Sequence, residues 1–126
     1  MNYIVFDLEW NQCPYGKEKE NKKLPFEIIE IGAVKLDENR NVIDSFQEIV
    51  KPAVYHRLHF RTKEILGITS NRLEEGIPFK AAVKKFLEWC GTDVKFCTWG
   101  SADLVELQRN LKYYRMLSLL KGPVFY

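Results

Sequence analysis

A chain of 126 residues is long enough for one domain with a real core, and 46% apolar with 29% charged residues marks it as globular rather than disordered. No apolar run is long enough to cross a bilayer, and the opening MNYIVFDLEW has neither a basic leader nor a small-residue cleavage site, so neither a membrane nor a secreted protein is expected. The net charge of +2 neither demands nor excludes a nucleic-acid partner, and three cysteines without CxxC spacing (Cys13, Cys90, Cys97) suggest incidental thiols in a reducing, cytoplasmic setting.

Residues 2–10 read as a strand, with Ile4, Val5, Phe6 and Leu8 apolar or β-prone. Residues 11–25, NQCPYGKEKENKKLP, hold two prolines, a glycine and six charges and read as a loop. FEIIEIGAVKL (26–36) is a second strand, DENRN a turn and VIDSFQEIV (42–50) a third strand. So short a turn implies an antiparallel hairpin, and a return from the first strand makes a three-stranded meander. The period then changes. HFRTKEILG suggests a short helix ending at Gly67. PFKAAVKKFLEWCG places Phe79, Ala82, Val83, Phe86, Leu87 and Cys90 on one face of an amphipathic helix between Pro78 and Gly91. DVKFCTW is a short strand, and SADLVELQRNLKYYRML a helix with Ser101 as N-cap and Leu104, Leu107, Leu111 and Tyr114 inward. The order is β-β-β-α-α-β-α, followed by VFY, which opens a further strand with no helix to cover it.

Side chains alternate along a strand, so Asp7 and Glu9 share one face. Adjacent carboxylates repel, and each resists desolvation, unless a cation lies between them. A hard cation such as Mg²⁺ accepts one or two protein carboxylates together with substrate phosphate. The plain alternative is a strand ending in water: with 5 Asp and 12 Glu in the chain, a D-x-E arises easily by chance. Asp103 also has a plain explanation, since an acid in a first helical turn is favoured by the helix dipole. It nevertheless follows a strand directly, at the carboxyl end of a sheet where α/β ligand sites gather. If that strand lies beside the first one, Asp103 faces Asp7.

FDLEW, IIEIGAVKL, FQEIVKP, LGIT, PFKAAVKKFLEW and TWGSADLVEL occur in the order and rough spacing of the DEDD 3′→5′ exonucleases. Over residues 1 to about 115 the chain resembles that superfamily, nearest its Eri/KapD-like exoribonuclease branch. The resemblance implies an α/β, RNase H-like mixed sheet, an antiparallel meander plus a parallel strand, flanked by helices and C-terminally incomplete. It implies that Asp7, Glu9 and Asp103 are catalytic and hold two divalent ions, Mg²⁺ or Mn²⁺, which activate water and stabilise the leaving 3′ oxygen. It places Leu8 and Trp10 against the terminal nucleotide. Most relatives carry small polar residues where this chain has Trp10 and Asn11, so Trp10 either stacks on a base or packs under the long loop.

The family's third motif, a His and an Asp separated by four residues downstream of the second acid, has no counterpart: no His or Asp follows Asp103. His56 and His59 precede it, inside a basic stretch, and read as exposed histidines rather than a general base. The 126 residues are therefore expected to form the N-terminal part of a single exonuclease domain, inactive alone, whose exposed incomplete edge invites dimerisation. The expected partner is the 3′ end of single-stranded RNA or DNA, with RNA favoured. Two readings compete: a catalytically dead nucleic-acid or protein-binding module, and another two-metal phosphoryl reaction on the same fold. Lys17, Lys19, Lys22 and Lys23, and separately His56, Arg57, Arg61 and Lys63, supply either phosphate contacts or ordinary solvated charge. Glu30, inside an apolar strand, is expected to be a buried, hydrogen-bonded acid without a catalytic part.

Overall fold

Alternation organises the molecule around its first strand. In the computed structural model, which describes residues 1–119 and the backbone of Val124–Phe125, β1 (Asn2–Gln12) buries Ile4, Phe6 and Leu8 on one face. The other face carries Tyr3, Val5, Asp7 and Glu9. β2 (Phe26–Leu36) and β3 (Val42–Ile49) complete the meander, each antiparallel to its predecessor. α1 (Phe60–Leu66), α2 (Ser70–Glu74) and α3 (Phe79–Cys90) follow, then β4 (Val94–Cys97), α4 (Ala102–Tyr113) and β5 (Val124–Phe125). β4 pairs parallel with β1, and β5 parallel with β4, giving the order β3-β2-β1-β4-β5. This is the mixed sheet expected from the sequence.

The core lies between the Ile4–Phe6–Leu8 face and helices α3 and α4. Phe86 of α3 meets Phe6 edge-on at 6.1 Å and Phe96 of β4 at 6.4 Å. Leu107 and Leu111 of α4 join the same cluster. Each such side chain contributes roughly 1.5–3 kcal/mol by leaving water, which fixes α4 against the sheet and sets the position of its first turn.

β1 and β2 slip register once, and the slip is satisfied from outside the sheet. Glu9 pairs with Glu30 but Trp10 with Ile28, so one residue of β2 bulges. The fully buried Asn110 of α4 serves the backbone there: its Oδ1 accepts from Ile28 N–H at 3.1 Å, and its Nδ2 donates to the carbonyls of Phe26 and Glu106.

Several boundaries differ from the sequence expectation. β1 runs two residues further, to Gln12. α2 escaped notice because five residues are too few for a helical period; Thr69 caps it, its hydroxyl accepting from Arg72 N–H. α4 ends at Tyr113, four residues short of expectation, where Arg115 turns to φ 58°. Ser101 stands at the N-cap position of α4 but its side chain makes no capping bond. Gly67 ends α1 in the left-handed region, as its position suggested. Gly76 is required by close approach: a Cβ there would lie 2.7 Å from the Ile49 carbonyl, where Ile77 and Val50 form a parallel bridge. The VFY stretch enters the sheet through Val124 and Phe125, while Tyr126 lies outside the described residues. Among the described residues no helix is long and apolar enough to cross a membrane.

Candidate active site

β4 stops at Cys97, opposite Val5, so β1 beyond that point has no strand partner on the β4 side. The Asp103 carboxylate takes the vacated place: the Leu8 N–H donates to its Oδ2 at 2.9 Å. A side chain from the first turn of α4 thus completes the ladder of β1, and Asp103 comes to rest against the Asp7 carboxyl. Glu9 lies one pleat further along the same face, and its cross-strand neighbour is Glu30. Four acids therefore occupy one end of the sheet, although the chain as a whole is slightly basic.

Their proton affinities show the strain. Burial pushes Asp103 above the ordinary carboxylate range, the Leu8 N–H opposes this, and the adjoining Asp7 adds to it. Glu9 is raised by burial first, then by repulsion from Asp7, Glu30 and Asp103. A cation beside these acids would relieve their mutual repulsion.

Divalent metal is what the resemblance implies here, and the donors suit it: the carboxylate oxygens are hard ligands, short of hydrogen-bond donors and mutually repelling. Asp7 and Asp103 are the contacting pair, with Glu9 coupled to them through repulsion. Among the described residues, however, no three His, Cys, Asp or Glu side chains form a ready-made metal-holding group. The acids adjoin without closing into a ligand set.

Two shallow grooves of about 370 and 300 Å³ meet at Glu9 and share Ile65 and Leu66 of α1. The first also reaches Glu30 and Arg72, the second Trp10, Gln12 and Arg61. Ile65 is 79% exposed, an apolar side chain held over an acidic floor.

The Leu8 side chain is 3% exposed, on the core face opposite Asp7 and Glu9, and its N–H is taken by Asp103. Trp10 packs against Phe26 at 6.2 Å and lines the second groove. His59 is half-buried rather than exposed; its Nδ1 accepts from Arg61 N–H and caps α1, while its ring stacks on Phe60 at 4.5 Å. His56 is exposed. Glu30 is half-exposed, near Gln47 Nε2, and is not the buried acid. That acid is Glu27, 3% exposed, whose carboxylate accepts from the consecutive N–H groups of Ala53, Val54 and Tyr55 at 2.8–2.9 Å. Cys90 is buried and its thiol pushed up to about 12, so it stays protonated.

Sequence reasoning also missed Asn11, Ile65 and Leu66. Asn11 is fully buried and ties β1 to the approach of α1, donating to the Arg57 carbonyl and accepting from His59 N–H. The available signal was a buried amide at the end of an apolar strand, obscured by reading the strand as ending at Trp10.

A mixed sheet whose central strand carries D-x-E, met by an acid from the helix after the parallel strand, defines a nuclease class. Residues 4–118 match the RNase_T family, described as Exonuclease, and the chain belongs to that family. It is 30% identical over 122 residues to the probable 3′-5′ exonuclease KapD of Bacillus subtilis (strain 168), covering 96% of this chain and 58% of KapD. It is 36% identical over 149 residues to ERI1 exoribonuclease 2 of Homo sapiens, covering 97% of this chain and 20% of that protein. Among solved structures, the nuclease domain of 3′hExo, a DEDDh family member bound to rAMP, superposes with a TM-score of 0.75 at 25% identity over 91% of this chain and 60% of that one. The chain thus spans little more than half of KapD and a fifth of ERI1 exoribonuclease 2.

Proposed function

We propose that these residues form the acid-bearing part of a divalent-metal-dependent 3′→5′ exonuclease that shortens single-stranded nucleic acid, RNA in preference to DNA. The observation that carries this reading is the seating of Asp103 on the Leu8 N–H beside Asp7, which joins two acids far apart in sequence. Asp7 and Asp103 would hold the cation, with Glu9 beside them; when bound, it supplies charge stabilisation at phosphorus and a lowered pKa for water. Asp103, fixed by the Leu8 N–H, is oriented before any ligand arrives. Ile65, Leu66 and Trp10 would flank the terminal nucleoside, and Arg61 its phosphate. The preference for RNA rests on resemblance to proteins named exoribonucleases.

A second reading, a binding module of the same fold without catalysis, is favoured by one observation: among the described residues the acids adjoin without closing into a metal-holding group. Loss of a general base alone typically costs ~10²–10⁴-fold. The test is a pair of oligonucleotides labelled at the 3′ or 5′ end, incubated with Mn²⁺ and one of three proteins: the 126-residue chain, a chimera continuing it with the KapD segment beyond the match, and that chimera carrying Asp7→Ala. Stepwise loss from the 3′ end by the chimera, near silence of the short chain and silence of the Asp7→Ala form are expected. Full activity in the short chain, or in the Asp7→Ala form, would show that the assignment of the acids is wrong. Nucleic-acid binding without cleavage by every form selects the second reading.

A further inference from the structure

The catalytic end is acidic, yet a nucleic-acid substrate is a polyanion. Besides Arg61 and Arg72, which line the grooves at Glu9, a further group of cations lies elsewhere. A groove of about 780 Å³ runs between the 22–23 loop and the end of α4, lined by Lys22, Lys23, Arg109, Lys112 and Arg115 with Tyr113. Two of the five cations have acidic partners, Lys22 with Glu20 at 3.2 Å and Arg109 with Glu106 at 2.9 Å. Lys23, Lys112 and Arg115 have no ion pair among the described residues.

Five converging cations repel one another, so the groove persists only because its walls are fastened by other means. Asn21 Nδ2 donates to the Tyr113 hydroxyl at 3.3 Å, and the Asn21 N–H donates to the Tyr55 hydroxyl at 3.0 Å. The Tyr55 hydroxyl in turn donates to the carbonyl of the fully buried Leu24 at 2.7 Å. The lysine loop is thereby clamped to the core on one side and to α4 on the other. Solvated lysines on a loose loop need no such clamp.

We infer that this groove binds the phosphodiester backbone of a nucleic-acid strand upstream of its 3′ end; the inference rests on the nuclease reading above for the identity of the polyanion. Lys112 lies nine residues along α4 from Asp103, about 14 Å of helix. At ~3.4 Å per nucleotide of stacked strand, that is on the order of four phosphates. A strand whose terminal residue lies at Asp7 and Asp103 therefore needs only modest length to reach the groove, whereas a trinucleotide falls short. An acidic peptide is the weaker match, because the groove offers only Leu117 and the Tyr113 ring as apolar anchorage.

The test uses the 126-residue chain and fluorescent oligonucleotides of three and twenty nucleotides, with binding measured by anisotropy across a salt series. The groove variant is Lys23→Gln with Lys112→Gln, one cation from each wall. The control is Lys80→Gln with Lys84→Gln, two exposed lysines on α3 with the same loss of charge. The groove variant should bind the twenty-nucleotide strand about tenfold more weakly, with a salt slope smaller by roughly 1.4. Its trinucleotide binding should not change, and the control should match the unaltered chain. Equal weakening in the two double variants would reduce the effect to net charge and overturn the inference, as would no weakening in either. If the unaltered chain binds neither oligonucleotide, the nucleic-acid reading fails as a whole. If it binds both with the same affinity in all three proteins, only the groove is refuted.

Discussion

Glu27 and Asp103 are both carboxylates taken partly or wholly out of water, Asp103 beside the exposed Asp7, and they are treated in opposite ways. Glu27 receives three consecutive backbone N–H donors and anchors residues 53–55 to β2. Asp103 receives the Leu8 N–H, with lesser help from its own N–H, and otherwise meets another acid. A structural carboxylate is saturated; Asp103 is left partly unserved, and its affinity for protons is raised. The difference separates an acid that holds the fold from one that the fold holds ready.

The comparison breaks most readily at Glu27. Glu27→Ala should leave three N–H groups without their acceptor and cost about 2–4 kcal/mol in urea unfolding, with Glu27→Gln in between. Asp7→Asn should move stability by less than about 1 kcal/mol, because it removes a repulsion rather than a bond. The same change should weaken Mn²⁺ binding on the order of 100-fold in titration calorimetry. Similar stability losses for Glu27→Ala and Asp7→Asn would erase the distinction.

Glu106 sharpens it as an intermediate case. It is 6% exposed, one oxygen meets Arg109, and Oε2 has no hydrogen-bond partner among the described residues. Burial raises its proton affinity and Arg109 lowers it, with burial the stronger. A carboxyl whose folded pKa lies above its unfolded value of about 4.3 contributes stability that is full below that pH and is lost as pH rises through the folded value. Glu106→Gln should therefore lose less stability than the unaltered chain as pH is raised from about 4.5 toward neutrality. Identical pH slopes for the two proteins would show that Glu106 is effectively solvated.

The sheet was legible because its signals are local and repeated. Alternation in β1, a five-residue turn between β2 and β3, and the period of α3 each restate one geometry many times. The nearness of Asp103 to Asp7 was legible through spacing and resemblance, with β4 beside β1 the topological step that brings it about. What escaped depends on contacts across long stretches of sequence. Choosing Glu27 over Glu30 as the buried acid turns on a one-residue bulge and on a loop 26 residues away. Leu8 was carried over from the resemblance as a substrate contact through backbone and side chain, and alternation sends its side chain to the core. The basic groove was half visible, since Lys22 and Lys23 stood out in the loop, but nothing in the sequence showed that α4 supplies the opposite wall.

The parallel pairing of β1 with β4 has a consequence for synthesis on the ribosome. The meander of β1, β2 and β3 contains only near neighbours and can fold once about half the chain has emerged. Asp7 and Glu9 are then in place, but Asp103 has yet to be made. At ~5–20 residues per second, it follows Asp7 by roughly 5–20 s. Through that interval the nascent protein presents two acids on an open strand edge, with no third carboxylate to close on them. Arrival of α4 then does two jobs in a single step: it covers the sheet and delivers Asp103. A nascent chain thus gathers its three acids only once its sheet is nearly built.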